Sequence, residues 1–175
     1  MIKNTLKITI TIMFLGLFGY FGYQIITKIN YKKTIASNIK TIPQFSYVNT
    51  KGGIFTKDSI QPNTPTIFIY YNSDCDYCNN EAQMIHENID TFNKIQILFV
   101  SFENPDRIKK FAHQHQLNHY DNVTFLHDNK LTFAATFDVT SLPCLVMYDK
   151  NQKLIEKIKG QIKPETLIKK LIGIY

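Results

Sequence analysis

Two cysteines, Cys75 and Cys78, lie between an apolar run and a helical pattern, and this placement limits the folds open to the chain. The run over residues 66–71 is rich in β-branched and aromatic residues, which is typical of a buried strand. Apolar residues then recur at helical spacing over residues 82–89. The first thiol therefore lies at a helix N-terminus, where backbone N–H groups and the helix dipole favour a thiolate. Such a pair can also bind zinc, but its position at a strand-to-helix junction favours redox chemistry.

A long apolar segment precedes the folded region. Residues 8–29 carry a single charge, on Lys28, and at ~1.5 Å per residue about twenty residues span the ~30 Å hydrocarbon core of a bilayer. We therefore predict a membrane anchor over residues 1–29, contacting lipid through residues 8–29. A polar tether over 30–42 and a folded domain over 43–175 follow. A cleaved signal peptide is the alternative, although no small-x-small site follows the apolar segment closely.

The net charge of +6 is confined to the region around this segment. Residues 1–41 hold six lysines and no acidic residue, whereas the remaining 134 residues hold 14 basic and 14 acidic side chains. The basic excess flanks the apolar segment and forms no phosphate-binding patch, so we expect no nucleic-acid partner. Because a short N-terminal tail usually stays cytoplasmic, we expect a single-pass protein whose domain faces the periplasm or the cell exterior.

The rest of the chain alternates between strand and helix patterns. Beyond the first strand and helix, the further predicted elements are a hairpin at 45–56, a strand at 95–102, a helix after Asn104, a strand at 123–126, a helix at 130–137, two strands at 142–148 and 154–158, and a helix at 164–172. Parallel strands joined by helices and followed by an antiparallel hairpin predict an α/β fold, with a central mixed sheet flanked by helices.

The order of these elements, the C-x-x-C after the first long strand and the Ser-Leu-Pro step at residues 141–143 resemble the thioredoxin fold. Residues 71–81 (YNSDCDYCNNE) resemble the Cys-x-x-Cys-x-x-Glu signature of membrane-anchored TlpA/ResA-like thiol-disulfide oxidoreductases. Residues 142–152 resemble the Pro-Thr-x-x-x-x-Asp-x-x-Gly stretch of that family. The resemblance covers roughly residues 43–173 and implies a thioredoxin-like domain with an N-terminal hairpin.

The resemblance also implies roles for individual residues. Cys75 would be the attacking thiolate and Cys78 would resolve the mixed disulfide. Pro143 would be a cis-proline whose preceding residue presents its backbone to a substrate, with an ordinary trans proline as the alternative. The redox-active disulfide Cys75–Cys78 would be the redox group, and no separate cofactor or metal is expected.

Glu81 lies three residues beyond Cys78, so both side chains project from nearly the same helix face. A carboxylate in this position could accept a proton from Cys78 during exchange, and in the resembling family a glutamate here tunes the cysteines. The alternative interpretation is an ordinary solvated glutamate on the surface of the helix.

The chain departs from the resembling family at three positions: Asp74 stands where tryptophan is usual, Tyr77 where proline is usual and Cys144 where threonine is usual. Asp74 and Asp76 flank Cys75, and their negative charge opposes thiolate formation. We therefore expect a bias toward the reducing direction. Cys144 is either a third redox partner that reaches Cys75 or a small buried residue in place of threonine.

Two other functions are compatible with these residues. A metallochaperone could bind copper or zinc through Cys75, Cys78 and a histidine, although His113 and His115, two apart, would point to different faces of a helix. A thiol peroxidase is the second alternative, but the residues ahead of Cys75 lack the Pro-x-x-x-Thr-x-x-Cys pattern of peroxidatic cysteines.

The function implied by the resemblance is that of a membrane-tethered protein disulfide reductase that maintains redox homeostasis outside the cytoplasm. Its partners would be disulfide-bearing proteins, and electrons would arrive from a membrane thiol-reductant transporter. Apocytochromes, as in cytochrome c maturation, and misoxidised secreted proteins are both compatible substrates, and the sequence does not choose between them.

Overall fold

The computed structural model describes the backbone of residues 2–173 and the side chains of residues 13–171. The chain forms two compact units, Met1–Ser37 and Asn38–Tyr175. The helix α1 spans Ile2–Asn38 and accounts for the first unit. The residues predicted as a tether are therefore helical as far as Asn38.

Among the described side chains of α1, large apolar ones are exposed, including Phe14, Leu15, Phe18 and Ile25. Within the described residues, the structure holds no helix with the length and apolar character needed to cross a membrane. Residues 8–12 of the predicted transmembrane segment lie outside the described side chains. The transmembrane helix predicted from the sequence is therefore not confirmed.

The second unit contains an α/β sheet domain. Its elements are β1 (Ser46–Asn49), β2 (Ile54–Thr56), β3 (Thr66–Tyr70), α2 (Asp76–Glu87), β4 (Gln96–Ser101), α3 (Pro105–Gln114), β5 (Val123–His127), α4 (Thr132–Thr136), β6 (Cys144–Tyr148), β7 (Leu154–Lys159) and α5 (Pro164–Ile172). The strands within residues 2–173 form one sheet in the order β2-β1-β5-β4-β3-β6-β7. The predicted element order and the central mixed sheet are both confirmed.

The parallel part of the sheet positions the cysteine pair. β3 is fully buried and runs parallel to β4, which runs parallel to β5. β6 pairs antiparallel with β3, and β7 with β6. The register places Tyr70 opposite Cys144, so the segment before β6 and the loop after β3 meet at the same edge of the sheet.

Side chains alternate between the two faces of the sheet, as they must in strands. One face carries Ile67, Ile69 and Tyr71 in a core cluster that also contains Cys78 and Phe111. The other face is aromatic. Its ring contacts include Phe45 with Phe68 at 5.5 Å, Phe68 with Tyr148 at 6.0 Å and Tyr70 stacked on Phe133 at 4.7 Å.

The segment 39–42 is packed onto the domain ahead of β1. Ile39 and Ile42 are buried, and the Leu154 N–H donates to the Lys40 carbonyl at 2.9 Å. Thr41 forms an isolated antiparallel bridge with Lys153. The folded unit therefore begins before residue 43, where the sequence placed its boundary.

Candidate active site

The turn after β3 places Cys75 at the start of α2. Cys75 is the N-cap residue of this helix and its thiol is half-buried, whereas Cys78 is buried. The Cys78 N–H donates to Cys75 Sγ at 3.2 Å. An N–H group in the first turn of α2 therefore points at this sulfur, at the end of the helix where the dipole is positive. The two residues are free thiols in the structure, and the accessible one is Cys75.

Cys78 is held as a neutral thiol by its surroundings. Burial, together with a hydrogen bond that the Cys78 thiol donates to Cys75, raises the pKa of the Cys78 thiol far above its usual range. A thiol in this state is a poor nucleophile until a base removes its proton. The pair therefore separates a half-buried, accessible sulfur from a buried sulfur that needs a proton acceptor.

Glu81 lies one turn beyond Cys78 and is 1% exposed. Its Oε2 accepts a hydrogen bond from the Ile162 N–H at 3.0 Å. Burial raises the pKa of this carboxyl to about 7, and the hydrogen bond from Ile162 opposes part of that rise. The alternative of a solvated surface glutamate is therefore wrong. A carboxyl that titrates near neutral pH can both take and return a proton.

The Leu142–Pro143 peptide bond is cis, as the resemblance implied. Pro143 is buried, and its carbonyl accepts a hydrogen bond from the Gly160 N–H at 2.8 Å. Leu142 and Cys75 both pack against the core cluster that contains Cys78. The sheet register thus brings the cis-proline segment and the cysteine pair to the same edge of the domain.

Cys144 belongs to the opposite face of the sheet. Its neighbour Leu145 joins the core cluster with Cys78, and Cys144 does not; alternation along β6 therefore points Cys144 away from that cluster. Burial raises the pKa of the Cys144 thiol to about 11, opposed by the nearby Lys157 and Lys159. This placement favours the interpretation of Cys144 as a small buried residue over that of a redox partner for Cys75.

Glu103, Arg107 and Asp74 form an ion-pair cluster at the turn before Cys75, which the sequence does not indicate. Glu103, 4% exposed in its side chain, accepts hydrogen bonds from the Ser73 N–H at 2.7 Å and the Ser73 hydroxyl at 2.8 Å. Arg107 Nε pairs with Glu103 Oε1 at 2.8 Å, and Arg107 Nη2 pairs with Asp74 Oδ1. Arg107 therefore offsets part of the Asp74 charge and weakens one ground for the expected reducing bias, while Asp76, the other ground, has no ion pair among the described residues. Sequence offered no signal for this cluster, because Glu103 and Arg107 are distant from the cysteines along the chain.

Asn79 forms a second support for the same turn. Its amide nitrogen donates to the carbonyls of Ser73 and Cys75, each at 3.0 Å. Since that nitrogen is occupied, Asn79 Oδ1 is the acceptor for His115 Nε2 at 2.9 Å. Burial and the neighbouring His86 lower the pKa of His115, which keeps the ring neutral near pH 7. His115 was considered only as a metal ligand in the sequence, where nothing indicated a structural partner.

Within the described residues, no group of three or more His, Cys, Asp and Glu side chains is arranged to hold a metal ion. The cysteine pair instead lies among protein hydrogen bonds and ion pairs. A half-buried helix-capping thiol, a buried partner thiol, a buried acid and a nearby cis-proline can together make, resolve and re-form disulfides.

The fold and the site define a thioredoxin-fold protein whose dithiol lies at the N-terminus of α2. This confirms the resemblance to the thioredoxin-like superfamily. The AhpC/TSA family model matches residues 39–157. The chain belongs to the AhpC/TSA family, a thioredoxin-like family of redox proteins. No curated protein sequence matches it.

Solved structures share the fold at low identity. A secreted Mycobacterium tuberculosis disulfide oxidoreductase homologous to E. coli DsbE is 17% identical with a TM-score of 0.64, covering 75% of this chain and 96% of its own. A thioredoxin-family thiol:disulfide interchange protein from Chlorobium tepidum TLS is 15% identical with a TM-score of 0.65, covering 77% and 94%. Peroxidoxin BcpB from Mycobacterium tuberculosis is 17% identical with a TM-score of 0.65, covering 77% and 96%.

Proposed function

We propose that this protein is a thiol-disulfide oxidoreductase that exchanges the Cys75–Cys78 dithiol with disulfides in other proteins. The observation that carries the proposal is the asymmetry of the pair, with Cys75 accessible at the N-cap of α2 and Cys78 buried one turn inward. That arrangement lets one sulfur meet an external disulfide and keeps the second in place to resolve it.

The exchange proceeds in two displacements. The Cys75 thiolate attacks one sulfur of the substrate disulfide, forming a mixed disulfide and releasing the other substrate sulfur as a thiolate. Cys78 then loses its proton and attacks Cys75 Sγ, which releases the second substrate thiolate. The substrate gains two electrons, and the protein is left with the Cys75–Cys78 disulfide. The reverse sequence oxidises a substrate dithiol.

Glu81 is the proton acceptor for the second displacement in this proposal. The deprotonation of Cys78 is the difficult step, because burial holds that thiol in its neutral form. A buried carboxyl whose pKa is about 7 is well matched to receiving a proton at neutral pH. Pro143, cis and at the same edge of the sheet, would present the backbone of Leu142 to the substrate.

We further propose that the domain works outside the cytoplasm in the reducing direction, tethered to the membrane by the N-terminal apolar segment. The exposed apolar side chains of α1 support the tether, and one structural neighbour is described as a secreted disulfide oxidoreductase. Electrons would then come from a membrane thiol-reductant transporter, and substrates would be apocytochromes or misoxidised secreted proteins.

Insulin-disulfide reduction tests the exchange chemistry. We expect the full-length protein to reduce insulin with dithiothreitol as electron source, Cys75→Ser to be inactive, and Cys144→Ser to keep wild-type activity as the matched control. If Cys75→Ser still reduces insulin, the catalytic assignment is wrong. Stoichiometric retention of copper or zinc without insulin reduction would support the metallochaperone alternative instead.

Thiol peroxidase activity is the second candidate, and the likeness to peroxidoxin BcpB favours it. Cys75 would attack the peroxide and form a sulfenic acid, and Cys78 would condense with it to a disulfide and release water. Consumption of hydrogen peroxide by the reduced protein, followed alongside insulin reduction, separates the two candidates by their relative rates.

A further inference from the structure

Arg107 on α3 connects two carboxylates, that of Glu103 and that of Asp74 in the turn before Cys75. Its guanidinium pairs with buried Glu103 on one side and with exposed Asp74 on the other. The same guanidinium donates to the Ser73 hydroxyl, from Nη2 at 2.7 Å and from Nε at 3.2 Å. Arg107 thus contacts both residues that immediately precede the nucleophile.

Glu103 fixes where the guanidinium lies. Its side chain is 4% exposed, and its two oxygens are held by the Ser73 N–H, the Ser73 hydroxyl and the Ser101 hydroxyl. A buried carboxylate with these partners is costly to move or to leave without a cation. Arg107 is 43% exposed and would otherwise be mobile, so Glu103 anchors it beside Asp74.

The contact of Arg107 with Asp74 matters most for Cys75, because it changes the charge on the adjacent residue. The carboxylate is 73% exposed and belongs to the residue directly before Cys75. Unpaired, it would disfavour a second negative charge on the neighbouring sulfur. Because Arg107 pairs with Glu103 as well, the guanidinium offsets only part of the Asp74 charge. Asp76 flanks Cys75 on the other side, and the described residues show no ion pair to it.

We propose that Arg107 is a positioning residue that raises the reactivity of Cys75 by pairing with Asp74 and offsetting part of its charge. The inference rests on the proposed function in one respect, that Cys75 is the attacking sulfur. It assigns to the ion-pair cluster a role in setting how fast this protein reacts, in addition to holding the turn.

The test measures the alkylation rate of Cys75 by iodoacetamide at pH 7 in the reduced full-length protein, with mass spectrometry to separate Cys75 from the two buried thiols. We expect Arg107→Gln to lower the rate about threefold, in line with the size of exposed charge interactions. Arg107→Lys, which keeps the charge, should lose less. Adding Asp74→Asn to Arg107→Gln should return the rate to near the wild-type value.

Salt concentration separates an electrostatic role from a structural one. Because the Asp74 carboxylate is exposed, the effect of Arg107→Gln should shrink between 0.05 M and 0.5 M salt, as screening increases. A displaced turn would slow the reaction equally at both concentrations. Lys110→Gln is the matched control, since Lys110 lines the same 220 Å³ pocket as Arg107 and Asp74 but forms no ion pair with Asp74 among the described contacts. It should change the rate much less.

Removal of Arg107 leaves Glu103 buried without its cation, and this single variant could lose its fold. The pair Glu103→Gln and Glu103→Gln/Arg107→Gln therefore repeats the comparison with the buried site neutral, and the double variant should again be slower. The inference is overturned if Arg107 substitution leaves the rate unchanged in both backgrounds, if the loss persists at high salt, or if Asp74→Asn fails to restore it. Alkylation needs no protein substrate, so a chain inactive toward insulin would lose the proposed function and keep this result.

Discussion

Glu81 shows how one buried residue links stability to pH. Its pKa is raised from 4.5 to about 7 in the folded protein, chiefly by burial. The folded state therefore holds this proton more tightly than the unfolded state does. The stabilisation that results is fully present below about pH 4.5 and is lost as pH rises through about 7.

We accordingly expect Glu81→Gln to remove a pH dependence on the order of 3 kcal/mol in the free energy of unfolding between those pH values. Urea unfolding of wild type and variant at several pH values measures it. Glu165→Gln, on the exposed first turn of α5, is the control and should leave the dependence intact. Parallel curves for wild type and Glu81→Gln would contradict the raised pKa.

Cys144 gives a second prediction at the scale of a residue. Because β6 points this side chain to the aromatic face of the sheet, it lies on the other side of the sheet from Cys78. In a Cys78→Ser variant oxidised with diamide, we expect no intramolecular Cys75–Cys144 disulfide by mass spectrometry. Detection of that crosslink in the monomer would restore the redox interpretation of Cys144.

The sequence could place Cys75, Cys78 and Glu81 together because each follows the last by about one helical turn, a distance at which local spacing determines geometry. Glu81 could be placed beneath Cys78 for that reason, while its burial depends on Ile162, far along the chain. Arg107 and His115 reach the site only through the packing of α3 on the sheet. Such long-range pairs leave no periodic pattern in the chain, and the paired state of Asp74 was missed with them.

At the scale of elements, the short helix α4 depends on Asp128. This carboxylate is fully buried and accepts from the Thr132 N–H at 3.0 Å, the Thr132 hydroxyl at 3.1 Å and the Phe133 N–H at 2.7 Å. Asp128→Ala would leave buried N–H groups without acceptors, so we expect a loss of about 2–3 kcal/mol in stability. Asn104→Ala removes the exposed cap of α3 and should cost about 1 kcal/mol.

Chemical denaturation of both cap variants measures the difference, and equal losses would contradict the greater cost assigned to the buried cap.

The predicted element order was recovered because each long element has a clear period and clear ends, as with Asn104-Pro105 at the start of α3. The helix predicted at 130–137 is also present, but it is shorter, spanning Thr132–Thr136, and begins after a left-handed Leu131. Asp128 stabilises it through side-chain contacts that hydrophobic periodicity does not reveal.

At the scale of the whole molecule, residues 39–42 determine how far the chain can be truncated from its N-terminus before the folded unit loses stability. Ile39 and Ile42 are buried, and the Tyr148 hydroxyl donates to the Ile39 carbonyl at 3.1 Å. We expect a protein comprising residues 38–175 to unfold cooperatively and to retain insulin reduction. A protein comprising 43–175 should be less stable by about 4 kcal/mol, from the two lost isoleucines. Equal melting temperatures for the two truncations would show that the segment contributes nothing.

The same segment bears on how the domain behaves when many copies are crowded together. β2 and β7 are the outer strands of the sheet, and such strands can recruit another chain through their unpaired backbone groups. β2 is only three residues long, and β7 carries the charged residues Glu156, Lys157 and Lys159. Both features disfavour strand pairing between two copies. At the start of β7, the Leu154 N–H already donates to the Lys40 carbonyl, and just before β7 the Gln152 carbonyl already accepts from the Ile42 N–H. The segment thus covers part of the sheet edge, and its loss would expose backbone groups there that can pair with a strand of another copy.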